Sequence, residues 1–253
     1  MHPGRRSSPM RLHKYIANCG YTSRRRAELL IQAGRVTVNG RAVTSLGATV
    51  RPGRDKVLLN GEEVAPPEPL TIVLNKPPGI ITSTHDTHER LTVMDILPRR
   101  LRQLGILPAG RLDQDTEGLL VLTNDGDLGH RITHPRYETE KEYEVLVDGR
   151  PTPKGIARLE KGIVLEGEMT SPARITLLGA EEGATRARVI IHEGKKRQVR
   201  RMFEAIGTKV IALRRIRIGG LRLGDLPTGE WRELSLGEIK ALTGGDGAPA
   251  ARR

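Results

Sequence analysis

Three prolines in four positions, Pro66, Pro67 and Pro69, interrupt this chain between Ala65 and Leu70. No helix and no central strand runs through such a segment, because each ring fixes φ and removes an amide donor. The connector is stiff and extended. It divides the sequence into a small module, residues 10–64, and a larger domain, residues 70–242. Thr243–Arg253 is rich in Gly and Ala and lacks apolar periodicity, so a disordered tail is expected there.

The charge of +12 is unevenly spread. Residues 1–60 hold 12 Lys/Arg against 2 Asp/Glu, and residues 195–217 hold 9 against 1. The remainder is net negative, which suggests two basic surfaces on a mildly acidic body. A phosphate backbone is the natural partner. Neither basic segment carries the Trp- and Phe-rich apolar face of a membrane-surface helix. No stretch approaches the roughly 20 apolar residues of a membrane span. Met1–Met10 is charged without a following apolar run, so no signal peptide is expected. The single cysteine, Cys19, excludes an internal disulfide and a Cys-based zinc cluster. A cytoplasmic protein is expected. With six aromatic residues in all, recognition should rest on shape and phosphate contacts more than on a stacking sheet.

In the module, Leu12, Tyr15, Ile16 and Cys19 share one helical face, and Gly20 can end that helix in the left-handed region. Thr22 or Ser23 should cap a second helix, with Ala27, Leu30 and Ile31 inward and Gly34 as its end. Arg35–Gly40 reads as a strand entering a hairpin, and Val57–Leu59 as a second strand before Asn60-Gly61. Arg24, Arg25 and Arg26 crowd the first turn of the second helix, where the helix dipole prefers anions. Three arginines gain little structurally there, so the run reads as a phosphate clamp rather than a solvated face.

In the larger domain, strands are expected near Thr71–Asn75, Leu119–Thr123, Tyr143–Val147, Ala173–Leu178, Arg186–His192, Lys209–Ile218 and Glu230–Leu234. Helices are expected near Thr92–Leu97, Pro153–Lys161 and Lys196–Ile206. Strands outnumber helices without regular alternation, so the fold class is α+β with a mostly antiparallel sheet.

The stretch Gly110–Gly126, GRLDQDTEGLLVLTNDG, reads as loop, strand and tight turn. It holds the Asp113 carboxylate at a strand entrance, two residues after Arg111. Asp115 and Glu117 follow, and read as surface turn residues. Lys141 and Tyr143 share a strand face. In Lys195–Ile206, Val199, Met202, Phe203 and Ile206 form an inward helical stripe, with Arg200 beside it. His130 and His134 have helical i, i+4 spacing, but no third ligand motif accompanies them and no metal site is expected. Neither a dinucleotide fingerprint nor a Walker loop is present.

Taken together and in order, GRLD at 110–113, KEYEV at 141–145 and EGKKRQVRRMFEAIG at 193–207 resemble pseudouridine synthases of the RsuA/RluB type. NKPPG at 75–79 and the RIRIGGLRLGDLPTGEWREL ending extend the resemblance over nearly the whole chain. LHKYIANCGYTSRRRAELLIQAGRVTVNG resembles the alpha-L RNA-binding module, with Arg11, Lys14, Ser23 and Arg24–Arg26 as its expected RNA contacts.

The resemblance implies isomerisation of uridine to its carbon-linked isomer in ribosomal RNA, by a monomer without metal or cofactor. The wording is closer to the large-subunit RluB branch than to the small-subunit branch. Asp113 matches the catalytic aspartate; nucleophilic attack at the anomeric carbon or at carbon 6, and proton transfer, are all open to it. Tyr143 matches the active-site tyrosine, and Arg200 the basic residue that pairs with the aspartate. Arg111 would fill the gap left by the flipped base or contact phosphate, and Leu213 would pack beneath the base. Lys195, Lys196, Arg197 and Arg201 fit phosphate contacts, and Lys141 either reaches phosphate or is merely exposed. Two rival classes remain. A non-enzymatic RNA-binding assembly factor would need only the module. An RNA methyltransferase would need a Gly-rich cofactor loop, which the sequence lacks.

Overall fold

The computed structural model describes residues 9–244, so the expected tail lies outside the described residues except for Thr243 and Gly244. Two compact units are present. The first joins the chain up to Leu70 with the distant segment Arg99–Ile106, and the second takes Thr71–Pro98 and everything from Leu107 on. The first unit is therefore not the continuous segment that the proline connector suggests.

In the first unit the helices Leu12–Asn18 and Arg24–Gln32 pack on a small sheet around a core that includes Leu12, Ile16, Ala27, Ile31, Val36 and Val57. Ser23 is the second helix's cap, accepting from the Arg26 amide at 3.3 Å. Strands Val36–Val38 and Arg41–Ala42 are joined by Asn39-Gly40, with φ of 50° and 79°, the positive pair that a two-residue hairpin requires. The returning segment contributes a helix, Arg99–Gln103, and buries Leu101 and Ile106. It brings the exposed arginines Arg99 and Arg102 to this unit.

The second unit is built on one mixed sheet. Its strand order is 174–181, 184–191, 141–148, 210–218, 117–123, 71–76, 231–233. Every neighbouring pair on this path is antiparallel except one: Val210–Ile218 and Glu117–Thr123 run parallel, through Arg214 opposite Glu117 and Arg215 opposite Gly118. This seam joins two antiparallel half-sheets. Gly118 sits there at φ 108°, where a Cβ would lie 2.3 Å from the Arg215 carbonyl oxygen, so only glycine permits the approach. One sheet face is covered by the helices Gly126–Thr133 and Leu236–Leu242 through Leu119, Val121, Leu128, Ile132, Ile218 and Leu242.

The helix Pro153–Lys161 has the expected bounds, and the expected strands form with ends shifted by up to three residues. Two readings are corrected. Thr92–Leu97 is a series of turns: Asp95 accepts from the Thr92 amide at 2.8 Å and the Thr92 hydroxyl at 2.7 Å, as a helix cap would, but Pro98 follows at once and disfavours helical conformation at Leu97. Asn124-Asp125-Gly126 is not a hairpin turn: Asp125 accepts from the amides of Asp127 and Leu128 and starts a helix. The final helix, which the sequence reading omitted, opens on a capping box between Ser235 and Glu238.

Gly118→Ala should destabilise the protein by at least about 2 kcal/mol, from a strained φ together with a backbone clash. Gly167→Ala, also at positive φ but facing open space, should cost about 1 kcal/mol. Urea unfolding of both variants checks the difference; equal losses would mean that the seam tolerates the extra carbon.

Candidate functional site

A cavity of ≈520 Å³ opens over the parallel seam. One wall is the loop Gly110–Asp113 with Thr116; the other carries Lys141, Tyr143, Leu213 and Arg215, and His192–Val199 closes one side. Lys141 and Tyr143 share a face as expected. A bulge in the strand pairing between Glu142 and Tyr143 shifts the register, so Ile218 joins Leu213 and Arg215 on the cavity side.

The loop behind Asp113 is held carbonyl by carbonyl. Arg215 Nη1 donates to the Arg111 oxygen at 3.5 Å, and the Thr82 hydroxyl to that of Leu112 at 2.9 Å. The Thr116 amide bonds the Asp113 oxygen at 3.1 Å, and the Gly79 amide that of Gln114 at 2.8 Å. Arg200 Nη2 donates to the Asp115 oxygen at 2.9 Å, and Lys76 Nζ to that of Thr116 at 2.9 Å. Lys76, Arg200 and Arg215 are all buried. Each also bonds elsewhere: Lys76 to the oxygens of Pro77 and Gln114, Arg200 to Val210, Arg215 Nε to Leu119 at 2.8 Å. Arg215 Nη2 is buried without a hydrogen-bond partner.

This geometry changes one expected pairing. Arg200 meets Asp115, at 3.3 Å between Nε and Oδ2, and is absent from the cavity wall. Arg197 forms two bonds to the same carboxylate, at 3.0 and 3.1 Å. Asp115 is the exposed turn residue expected, and it also anchors two arginines; burial works to raise its carboxyl, and the two arginines outweigh that and hold it below the usual range. Glu117 likewise pairs with Arg214, at 3.2 Å. Arg197 itself adopts φ 50°, a strained conformation for a non-glycine residue, at the start of the helix Gln198–Glu204.

Of the expected substrate contacts, Arg111, Lys141, Leu213, Lys195, Lys196 and Arg197 line the cavity; Arg201 does not, and pairs with Glu166 at 2.7 Å. Lys195 also pairs with Glu168, at 2.8 Å. Six of the nine basic residues in 195–217 make ion pairs with carboxylates, so the second basic surface inferred from the charge count is largely neutralised. In the first unit Arg11 is tied to the Gly47 carbonyl and Ser23 to its helix, while Lys14 lies on the first helix and is half-buried. Arg24, Arg25 and Arg26 remain exposed.

Two cations are perturbed, Lys76 buried against the loop and Lys141 on the cavity wall. Burial pushes Lys76 down to about 8, opposed by the nearby carboxylates of Asp115 and Asp113. Burial, and then repulsion from Arg215, pushes Lys141 down to about 8. Lys141 Nζ donates to the Thr139 oxygen at 2.9 Å, so it is not merely exposed. Lys76 and Arg215 were not singled out from the sequence. The arrangement presents one carboxylate on a rigid loop facing a tyrosine, over buried positive charge. It suits a reaction in which negative charge develops on a planar, uncharged ring.

Residues 70–205 match the RNA pseudouridylate synthase family and residues 10–55 the S4 domain. The chain belongs to the RNA pseudouridylate synthase family. It is 45% identical to ribosomal large subunit pseudouridine synthase B of Bacillus subtilis (strain 168), over 92% of this chain and 95% of that protein. It is 42% identical to an uncharacterized RNA pseudouridine synthase of Aquifex aeolicus (strain VF5), over 92% of this chain and 93% of that one. A crystal structure of a pseudouridylate synthase superposes with a TM-score of 0.67 at 36% identity, covering 92% of this chain and 99% of that chain. The protein is an RNA-modifying isomerase with an α+β fold, and no helix among its described residues is long and apolar enough to cross a membrane.

Lys141 should lose its proton as pH rises through about 8, and with it the attraction for phosphate. Wild-type affinity for RNA should weaken between pH 7 and 9 at constant salt, while Lys141→Gln binds more weakly and with little pH dependence. Filter binding across that range checks this. Parallel pH dependence in the two proteins would assign the titration elsewhere. Lys76→Met removes the donor to two carbonyls of the loop, Gln114 and Thr116, and to that of Pro77. It should lower turnover at saturating RNA by about tenfold or more while leaving Kd within about twofold, since only the alignment of the loop is lost.

Proposed function

We propose that this protein converts specific uridines of large-subunit ribosomal RNA to pseudouridine, with Asp113 as the catalytic carboxylate. The observation that carries the reading is the pinned Asp113 loop facing Tyr143 across a cavity of nucleoside size. The ribosomal substrate is supported by the named Bacillus subtilis relative. On this reading the chain acts in the cytoplasm as a monomer, without metal or cofactor.

Isomerisation breaks the bond between the anomeric carbon and N1, rotates the uracil, and joins carbon 5 to the sugar. The proton on carbon 5 is released and N1 takes one up, so that the product is an isomer of the substrate. The detached ring carries negative charge, which Arg215 and Lys141 are placed to stabilise. Tyr143 stacks on the ring, Leu213 packs beneath it, and Arg111 fills the stack from which the base departs. The carboxylate serves at the anomeric carbon, at carbon 6 or in proton transfer. Arg200 acts as a positioning residue through Asp115, while Lys195, Lys196 and Arg197 face the RNA backbone. Arg24, Arg25 and Arg26, with Arg11, Lys14 and Ser23 around them, hold RNA on the first unit.

Tritium release from RNA labelled at carbon 5 of uridine tests the reaction. The wild type should release tritium with no added cofactor. Asp113→Asn should bind RNA normally and release none, because the amide keeps shape but loses charge and nucleophilicity. Even a tenth of wild-type turnover would remove Asp113 from the central role.

Replacing Arg24, Arg25 and Arg26 together by Gln keeps helix propensity. If the three clamp phosphates, the slope of log affinity against log salt should fall by about two to three units, with single-turnover chemistry at saturating RNA unchanged. An unaltered slope in a cooperatively folding variant would make the run a solvated face.

A further inference from the structure

The helix that Asp125 starts ends beside the cavity, and the turn after it carries a group of rings that the proposed reaction does not use. Thr133 and Pro135 line the cavity next to Gly110 and Arg111. A Cβ on Gly110 would lie 3.4 Å from the Thr133 methyl, so this turn and the Asp113 loop are in packing contact. Flanking the two wall residues are His130, His134, Arg136 and Tyr137, all exposed. The His130 and His134 ring centroids are 4.6 Å apart, and the Tyr137 ring meets that of His130 edge-on at 5.9 Å and that of His134 at 6.3 Å. The Arg136 guanidinium carbon lies 4.5 Å over the Tyr137 ring.

The rings are held from beneath. Leu128 and Ile132 bury the helix. His134 Nδ1 accepts from the Arg136 amide at 3.2 Å, and the Thr139 hydroxyl donates to the Arg131 carbonyl at 3.3 Å. The Arg136 guanidinium covers one face of the Tyr137 ring and donates to its hydroxyl, and neither anchor uses the opposite face. In a chain with six aromatic residues and seven histidines, three rings gathered in the open at a cavity mouth call for a planar ligand.

We propose that His130, His134, Arg136 and Tyr137 form a stacking subsite for the nucleobase next to the isomerised uridine. The proposal rests on the reading of the cavity as the uridine site. A uridine that leaves its stack deprives its neighbour of a partner at a cost of about a few kcal/mol. A ring platform at the mouth returns that contact and tolerates any base, because every base has a π-face. Arg131 and Arg136 add positive charge for the adjoining phosphates.

The test uses the full chain and a large-subunit rRNA transcript tritiated at carbon 5 of uridine. Tyr137→Leu keeps apolar bulk and loses the π-face. It should bind between roughly five- and 150-fold more weakly, the range of one lost base–aromatic stack. Its salt slope and melting temperature should be unchanged, and Tyr137→Phe should bind within twofold of wild type. Binding by Tyr137→Leu within twofold of wild type overturns the subsite. So does weaker binding with a salt slope reduced by about 0.7–0.9, which marks a lost phosphate contact instead. Tritium release by the wild type is read separately. Its absence overturns the uridine reading of the cavity, and with it the place of this subsite, whatever the variants do.

Discussion

Six successive backbone carbonyls, Arg111 to Thr116, each accept a bond from a fixed donor, and three of the donors are buried cations. Loops of this length ordinarily keep several carbonyls in water. Here a strand supplies Lys76, the helix Gln198–Glu204 supplies Arg200, and the strand Val210–Ile218 supplies Arg215. All three reach the loop because the parallel seam brings the half-sheets together at Gly118. Burying cations against carbonyl dipoles is a poor route to stability. The lowered Lys76 shows the cost. What the arrangement gains is a carboxylate whose backbone has little freedom, the condition for holding reacting atoms at productive distance.

Periodicity and local turn chemistry were legible in the sequence. The helix Pro153–Lys161, the two-residue hairpins at Asn39-Gly40 and Asn60-Gly61, and the shared face of Lys141 and Tyr143 each follow from spacing over a few residues. Errors arose where two local signals competed, as Pro98 does with the Thr92–Asp95 cap and the Asn-Asp-Gly turn pattern with the Asp125 cap. Asp125 followed by Leu128 and Ile132 carried a readable helix signal; the Asn-Asp-Gly turn pattern outweighed it. The site's charge pairing was not legible, because Arg197 and Asp115 are 82 residues apart in sequence and meet only through the sheet. Lys76 and Arg215 look like surface residues in isolation. Burial alone distinguishes them, and no local pattern encodes it.

Net charge by segment overstates the free charge of the 195–217 segment. The 195–217 segment is strongly basic in composition, yet six of its cations face carboxylates. The first unit has few acids to pair with, so Arg24–Arg26 stay exposed. On the proposed function, long-range attraction would fall mainly to the first unit, and its exposed charge would govern salt dependence. The cavity keeps its positive charge inside, short-range and shielded from counterions.

On the proposed function, that internal charge would couple substrate binding to protonation. Lys141 is depressed to about 8 by burial and by Arg215, and a phosphate arriving in the cavity opposes the second cause directly. Binding of RNA thus favours the charged form of Lys141, and by linkage the charged form favours binding of RNA. Near pH 8 the empty site holds Lys141 partly neutral, which limits the repulsion it must bear against Arg215. The occupied site recovers the full charge where negative charge develops on the detached base.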